Sequence, residues 1–398
     1  MKPVEIKPDV FWIGVNDRTS ELFEGLWPIQ EEGISYNAYL INDQKKAVID
    51  MSKELTTEVF IDHINEIFPV SLLDYIIVNH VEPDHTGAVL RLRELAPNAK
   101  IVCSKKAGLM LTAFYGIQEN IEIVYNEDTL DLGSHKLQFI STPFVHWPET
   151  MMTYETTERI LFSCDAFGGY GTLDGSIFDG ECPQLSIFKE EALRYFSNIV
   201  AGVSMPTLKA ITKLGEYPIS MVAPAHGLVW RDQPDEIISL YKKWAEATTT
   251  PSEMGVTLVY GSMYGNTEKM LDFVLQGLAK HNIPTQVFDI QHTHPSYILS
   301  SLIKSNGVIV GAPTYEKSLF PPIKNWLEYV KIKGIKNRKA AYFGSYGWAG
   351  AAKKEFEQIA VELNWELLDV LEFNGRPQTI GVELGIEFGE KFARSVQI

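Results

Sequence analysis

Two imidazoles and two carboxylates fall within six residues at His80, Glu82, Asp84 and His85, directly after the apolar run Tyr75-Ile76-Ile77-Val78. In the stretch Asn79-His80-Val81-Glu82-Pro83-Asp84-His85-Thr86-Gly87 the proline and the glycine make the chain turn rather than extend. A loop at the end of a hydrophobic strand can then bring all four side chains onto metal. Solubility alone does not call for such packing, and one ion would not use so many donors. Further candidates stand at matching places: His146 follows the run at 137–140, Asp165 ends the run at 160–164, and His226 closes the run at 221–225. Singly, each reads as well as a turn residue or a hydrogen-bonded cap. Together they fit a site shared by loops at one edge of a sheet sandwich.

Strand-like runs at 46–50, 73–79, 100–103 and 137–140 alternate with segments of helical period, which points to a layered α/β architecture. The polar, Thr-rich sequence AEATTTPSEMG at 245–255 marks a boundary, giving domains at 1–250 and 254–398. Beyond it the chain repeats strand, loop and helix, with runs at 285–288, 307–311 and 340–343, the rhythm of a doubly wound parallel sheet. Acidic residues outnumber basic ones 51 to 35, a formal charge of −16, so neither nucleic acid nor an anionic membrane surface is an expected partner. The three cysteines form no C-x-x-C pair, which excludes a disulfide framework and a cysteine-based metal site and fits a reducing cytoplasmic compartment. No apolar run reaches the ~18 residues of a membrane span, and the N-terminal residues lack the apolar core of an export signal.

In the second domain, Gly261-Ser262-Met263-Tyr264-Gly265-Asn266-Thr267 follows a strand and precedes a helical run at 268–280. Small and hydroxyl residues at a helix N-terminus aim N–H groups and the positive end of the dipole at an anion, so a phosphate is expected there. Without a lysine after Gly265 it is not a Walker A loop, nor is it G-x-G-x-x-G. A glycine-punctuated turn capped by Thr267 is the plainer alternative. The loop is similar to the FMN-phosphate loop of flavodoxins, departing at Tyr264, where those proteins usually have Ser or Thr. Gly311-Ala312-Pro313-Thr314-Tyr315 and Gly344-Ser345-Tyr346-Gly347-Trp348-Ala349-Gly350 also follow strands, with aromatic and small residues where a flavin would lie across the carboxyl ends of the sheet. Tyr346 and Trp348 could equally be packing aromatics.

The H-x-E-x-D-H cluster, with His146, Asp165 and His226 in this order, resembles the metallo-β-lactamase fold, and within it the flavodiiron proteins. Hydrolytic relatives carry His where Glu82 stands. The change leaves four imidazoles and three carboxylates, a donor set that suits iron or manganese at least as well as zinc. The resemblance implies an αββα metallo-β-lactamase-like sandwich followed by a flavodoxin-like sheet. It implies one iron held by His80, Glu82 and His146, a second held by Asp84, His85 and His226, and Asp165 bridging them. It also implies FMN on Ser262, Met263, Tyr264, Gly265, Asn266, Thr267, Pro313, Thr314, Tyr315, Ser345, Tyr346, Gly347, Trp348 and Gly350. Tyr195 matches a tyrosine near the diiron pocket of some relatives, whereas Glu24 occupies a place where some carry His.

The implied activity is reduction of O2 to water, of NO to N2O, or of both. The implied assembly is a head-to-tail homodimer or a dimer of dimers. Since the chain carries no C-x-x-C motif, the donor is expected to be a separate rubredoxin or a reduced deazaflavin. Lys331, Lys333, Lys336, Arg338 and Lys339 form a basic run that could serve for docking or be no more than a solvated face. The rival readings are a zinc hydrolase fused to a flavodoxin, and an electron carrier with a structural first domain. His63, His135, His281, His292 and His294 read as solvated, and Trp147-Pro148 as packing that fixes the loop of His146, with Trp147 also a candidate wall of the site.

Overall fold

The computed structural model describes residues 2–251 and 253–397. The chain divides into two compact units, Met1–Lys242 and Lys243–Ile398.

The first unit holds a seven-stranded and a five-stranded sheet. In the larger sheet, strand Tyr75–Val78 lies between the parallel strands Lys46–Ile49 and Lys100–Ser104. Strands covered on both faces read as unbroken apolar runs rather than alternations, and all four residues of Tyr75–Val78 are buried. Helix Thr57–Ile67 supplies Phe60, Ile61 and Ile64 to the core against this sheet. In the smaller sheet, Ile160–Cys164 and Met221–Pro224 run parallel as neighbours. Their carboxyl ends therefore lie at the same edge, and Asp165 and His226 both leave the sheet there.

The second unit is a five-stranded parallel sheet in the order Thr285–Asp289, Glu253–Tyr260, Ser305–Gly311, Lys339–Tyr346, Glu366–Asn374. By position along the chain this is 2-1-3-4-5, the flavodoxin-like winding, with its topological switch beside the first strand. Helices Asn266–Ala279 and Thr379–Val396 share a core with the sheet through Met270, Val274, Phe388 and Phe392. They cross with backbones touching: a Cβ on Gly277 would meet the Ile386 carbonyl oxygen at 2.2 Å, and one on Gly389 the Val274 carbonyl oxygen at 2.2 Å.

Three expectations are corrected here. His63 and His135 are buried rather than solvated: His63 Nδ1 lies 3.2 Å from the Ile13 carbonyl oxygen, and His135 Nδ1 lies 3.1 Å from Glu155 Oε1. The helix after the glycine loop starts at Asn266, two residues earlier than its apolar pattern suggests. The basic run is not one solvated stripe: Arg338 is buried and donates to the carbonyls of Ala247, Leu302 and Lys336. Lys331 meanwhile pairs with Glu328 and Glu362. Among the described residues no helix is long and apolar enough to cross a membrane.

Candidate functional site

The strand Tyr75–Val78 delivers the first four donors. Asp50 accepts from both the N–H and the side-chain amide of Asn79, at 2.8 and 2.9 Å, pinning the point where the strand ends. Glu82 then caps the short helix Pro83–Thr86, whose first position is a proline. The helical turn sets Asp84 and His85 beside each other, and Thr86 Oγ1 fastens it by donating to the Val81 carbonyl. His146 sits in the connection between Lys136–Ser141 and Met151–Glu155, closed by Thr150 Oγ1 donating to the Thr142 carbonyl at 2.6 Å. His226 is oriented by Nδ1, which donates to the Ser35 carbonyl at 2.8 Å.

All seven residues meet in two groups that share Asp165. His80, Glu82, His146 and Asp165 can each offer one atom within 4.8 Å of the others, and so can Asp84, His85 and His226. Glu82 Oε2 lies 3.1 Å from His80 Nε2 and 2.9 Å from His146 Nε2. Asp84 oxygens lie 3.4 Å from His85 Nε2 and 3.3 Å from His226 Nε2. Asp165 divides its oxygens: Oδ2 faces His80 and His146, both at 3.4 Å, while Oδ1 faces His85 at 3.0 Å and His226 at 3.2 Å.

The electrostatics call for cations. Burial disfavours charge on each imidazole, yet the neighbouring carboxylates outweigh it, holding His80 and His226 up at about 10 and His85 and His146 at about 9. Burial likewise opposes ionisation of Glu82, but His146 and His80 bring it down to about 2. Asp84 presents two buried oxygens, and His226 a buried Nε2, with no hydrogen-bond partner. Asp84 oxygens that face imidazole nitrogens at 3.3 to 3.4 Å without hydrogen-bond geometry suit metal ions, and imidazoles with carboxylates and no thiolate suit iron. The residues therefore fit a pair of iron ions.

The second unit gathers its three loops at the carboxyl ends of the parallel strands. Ser262 Oγ accepts the Gly265 N–H at 3.0 Å, and Gly265, with φ of +79°, turns the chain into helix Asn266–Ala279. A left-handed residue at this point suits glycine, and it leaves the first-turn N–H groups of the helix facing outward. Thr267 is buried and meets Ser345 Oγ at 3.0 Å, tying the first loop to the third. Thr314 Oγ1 accepts from the N–H groups of Ala351 and Ala352, tying the second loop to the third. Tyr264 and Trp348 are each 88% exposed, so neither is packing in the unit's own core.

Tyr195, the remaining expected residue, reaches this cluster of side chains directly, its hydroxyl donating to Asp165 Oδ1 at 2.8 Å. Glu24 instead accepts from Trp27 Nε1 at 3.1 Å. The Trp147 ring stands edge-on to His80, centroids 5.0 Å apart. Two residues escape sequence reasoning. Glu149 lies behind His80, its Oε1 2.6 Å from His80 Nδ1; its sole cue is a place three residues after His146. Gln291 accepts the Ser262 N–H from a distant loop, and nothing local to it signals that contact.

Comparison with known proteins covers both units. A family model for the ODP family beta lactamases matches residues 34–227, and one for flavodoxin matches residues 258–388. The anaerobic nitric oxide reductase flavorubredoxin of Pectobacterium atrosepticum is 35% identical over 98% of this chain and 77% of its own length. The rubredoxin oxygen:oxidoreductase of Desulfovibrio gigas superposes with a TM-score of 0.94 at 26% identity, covering 100% of this chain and 99% of that one. The flavodiiron protein of Giardia intestinalis gives 0.93 at 27% identity, covering 100% and 97%.

If the two groups hold one ion each, Glu82→Ala should release the iron beside His80 and His146 while sparing that beside Asp84 and His226. Elemental analysis of the variant against the parent protein, both purified anaerobically, reads this as a loss of about half the iron.

Proposed function

The chain belongs to the flavodiiron protein family, and from that premise we propose that this oxidoreductase reduces NO to N2O, and O2 to water, with electrons passed through FMN from a rubredoxin-type donor. The observation that carries the reading is the divided carboxylate of Asp165, one oxygen toward each group of ligands. In this reading His80, Glu82 and His146 would hold one iron and Asp84, His85 and His226 the other, with Asp165 turned to both groups. Ser262 to Thr267, Pro313 to Tyr315, and Ser345 to Gly350 hold the FMN. When bound, the irons supply two electrons and the reduced flavin two more, enough to take O2 to two water molecules; two NO become N2O and water with two. The named activities of the flavorubredoxin and of the oxygen:oxidoreductase support NO and O2 respectively. Glu82, a carboxylate where hydrolytic relatives have His, weighs against a zinc hydrolase.

The chain's own residues manage protons and water. Burial, with Asp165 beside it, holds the Tyr195 phenol well above its usual range, so its proton stays on the oxygen, 2.8 Å from Asp165 Oδ1. The neutral phenol can hydrogen-bond to a reacting oxygen and protonate it once that oxygen becomes more basic than the phenolate. Phe23 stands edge-on to the His226 ring at 5.4 Å and Tyr36 at 5.7 Å, packing aromatic surface against this ligand. A cavity of about 1430 Å3 leads from Glu82 and Asp84 to the surface. Leu22, Leu55, Val59, Leu90 and Phe114 line it and are exposed apolar side chains, which supports a head-to-tail dimer in which a partner's flavin unit covers the mouth. The acidic composition and the free cysteines fit a cytoplasmic enzyme.

Asp165→Ala should abolish both NO and O2 consumption in anaerobic electrode assays with reduced rubredoxin, while FMN is still reduced at the parent rate; a variant that keeps either activity removes the reading. Tyr195→Phe should lower turnover by roughly 100-fold with iron content unchanged, as for loss of a proton donor. Sedimentation should give a dimer or its multiple, and a fully active monomer would sink the head-to-tail arrangement.

A further inference from the structure

The two groups of ligands offer the same donors, two imidazoles and one carboxylate each, with Asp165 between them. What stands behind them differs. His80 Nδ1 donates to Glu149 Oε1 at 2.6 Å, and the same oxygen accepts the Val81 N–H at 3.1 Å. Glu149 is 2% exposed and its second oxygen has no hydrogen-bond partner. On the other side, His226 Nδ1 donates to a backbone carbonyl, that of Ser35, and His85 Nδ1 is buried without a partner. A carboxylate hydrogen-bonded to Nδ1 therefore backs an imidazole of the first group alone; buried Asp50 acts by charge on both His85 and His80 but hydrogen-bonds to neither. Asp50, also buried, gives its oxygens to Asn79.

A carboxylate behind a ligating imidazole raises the basicity of the ligating nitrogen, and in a dry interior its charge is little diluted. We propose that Glu149 is a positioning residue that makes the His80 side the first to release an electron, so that the once-oxidised centre carries its ferric charge on the iron held by His80, Glu82 and His146. The inference rests on the ligand assignment proposed above. In the step concerned, one electron passes from the ferrous pair to an outer-sphere oxidant such as ferricyanide, which becomes ferrocyanide. No bond breaks, and the Nδ1 proton stays between His80 and Glu149.

The test uses the full chain loaded with 57Fe and FMN, reduced anaerobically and titrated with ferricyanide. Mössbauer spectra of the once-oxidised parent protein should resolve one ferric and one ferrous ion. Glu149→Gln keeps an acceptor for His80 and Val81 but removes the charge. It should shift the first oxidation, followed by EPR, to higher potential and change the signal of the once-oxidised centre. A Glu149→Gln protein with the parent potential and signal overturns the proposal. So does a parent spectrum in which the two ions share the charge evenly, which decides the matter even if the variant does not fold. Parent protein that binds fewer than two irons would fault the ligand assignment instead.

Discussion

Four carboxylates, those of Glu82, Asp84, Asp165 and Glu149, converge with four imidazoles in a space largely closed to water. Charge of one sign gathered in a low-dielectric interior is costly unless something positive joins it. Protons on the four imidazoles can match that charge one for one, but they leave the Asp84 oxygens without a hydrogen bond, which metal ions would take up. Much of the first unit follows from this: parallel strands that end together, the Asp50 clamp on Asn79, the short helix after Glu82, and the hydroxyl that closes the turn around His146. Each fixes a backbone point from which a ligand can reach Asp165.

The parts of the site legible in the sequence were those written as local pattern. H-x-E-x-D-H after an apolar run is one loop, and its donors converge because the turn residues lie among them. His146, Asp165 and His226 could be nominated by their place after strands, but that they share one edge depends on Ile160–Cys164 pairing in parallel with Met221–Pro224, a contact between distant segments. Glu149 was opaque for the same reason. A glutamate following Trp-Pro in a loop carries no mark of the histidine 69 positions earlier that donates to it.

The second unit shows the complementary case. Its alternating rhythm specified a doubly wound sheet because parallel strands and crossover helices leave periodic signatures. Exposure was harder to read. Lys331 to Lys339 looked like a surface stripe because charge implies solvent, whereas the Arg338 guanidinium is paired inside with backbone carbonyls, the kind of partner a sequence never displays. His63 and His135 misled in the same way, since an imidazole that finds a buried acceptor reads like one that faces water.

Arg338 carries a consequence for anyone who wishes to cut the chain in two. It donates to the Ala247 carbonyl, and the Lys336 N–H reaches the Thr248 carbonyl, so the Thr-rich stretch is bonded to the flavodoxin-like sheet rather than hanging as a free tether. A fragment that starts after this stretch strips acceptors from an interior cation and from a backbone amide. The natural place to sever is upstream of Ala247, at the cost of keeping part of helix Pro234–Ala247 as a leading cap.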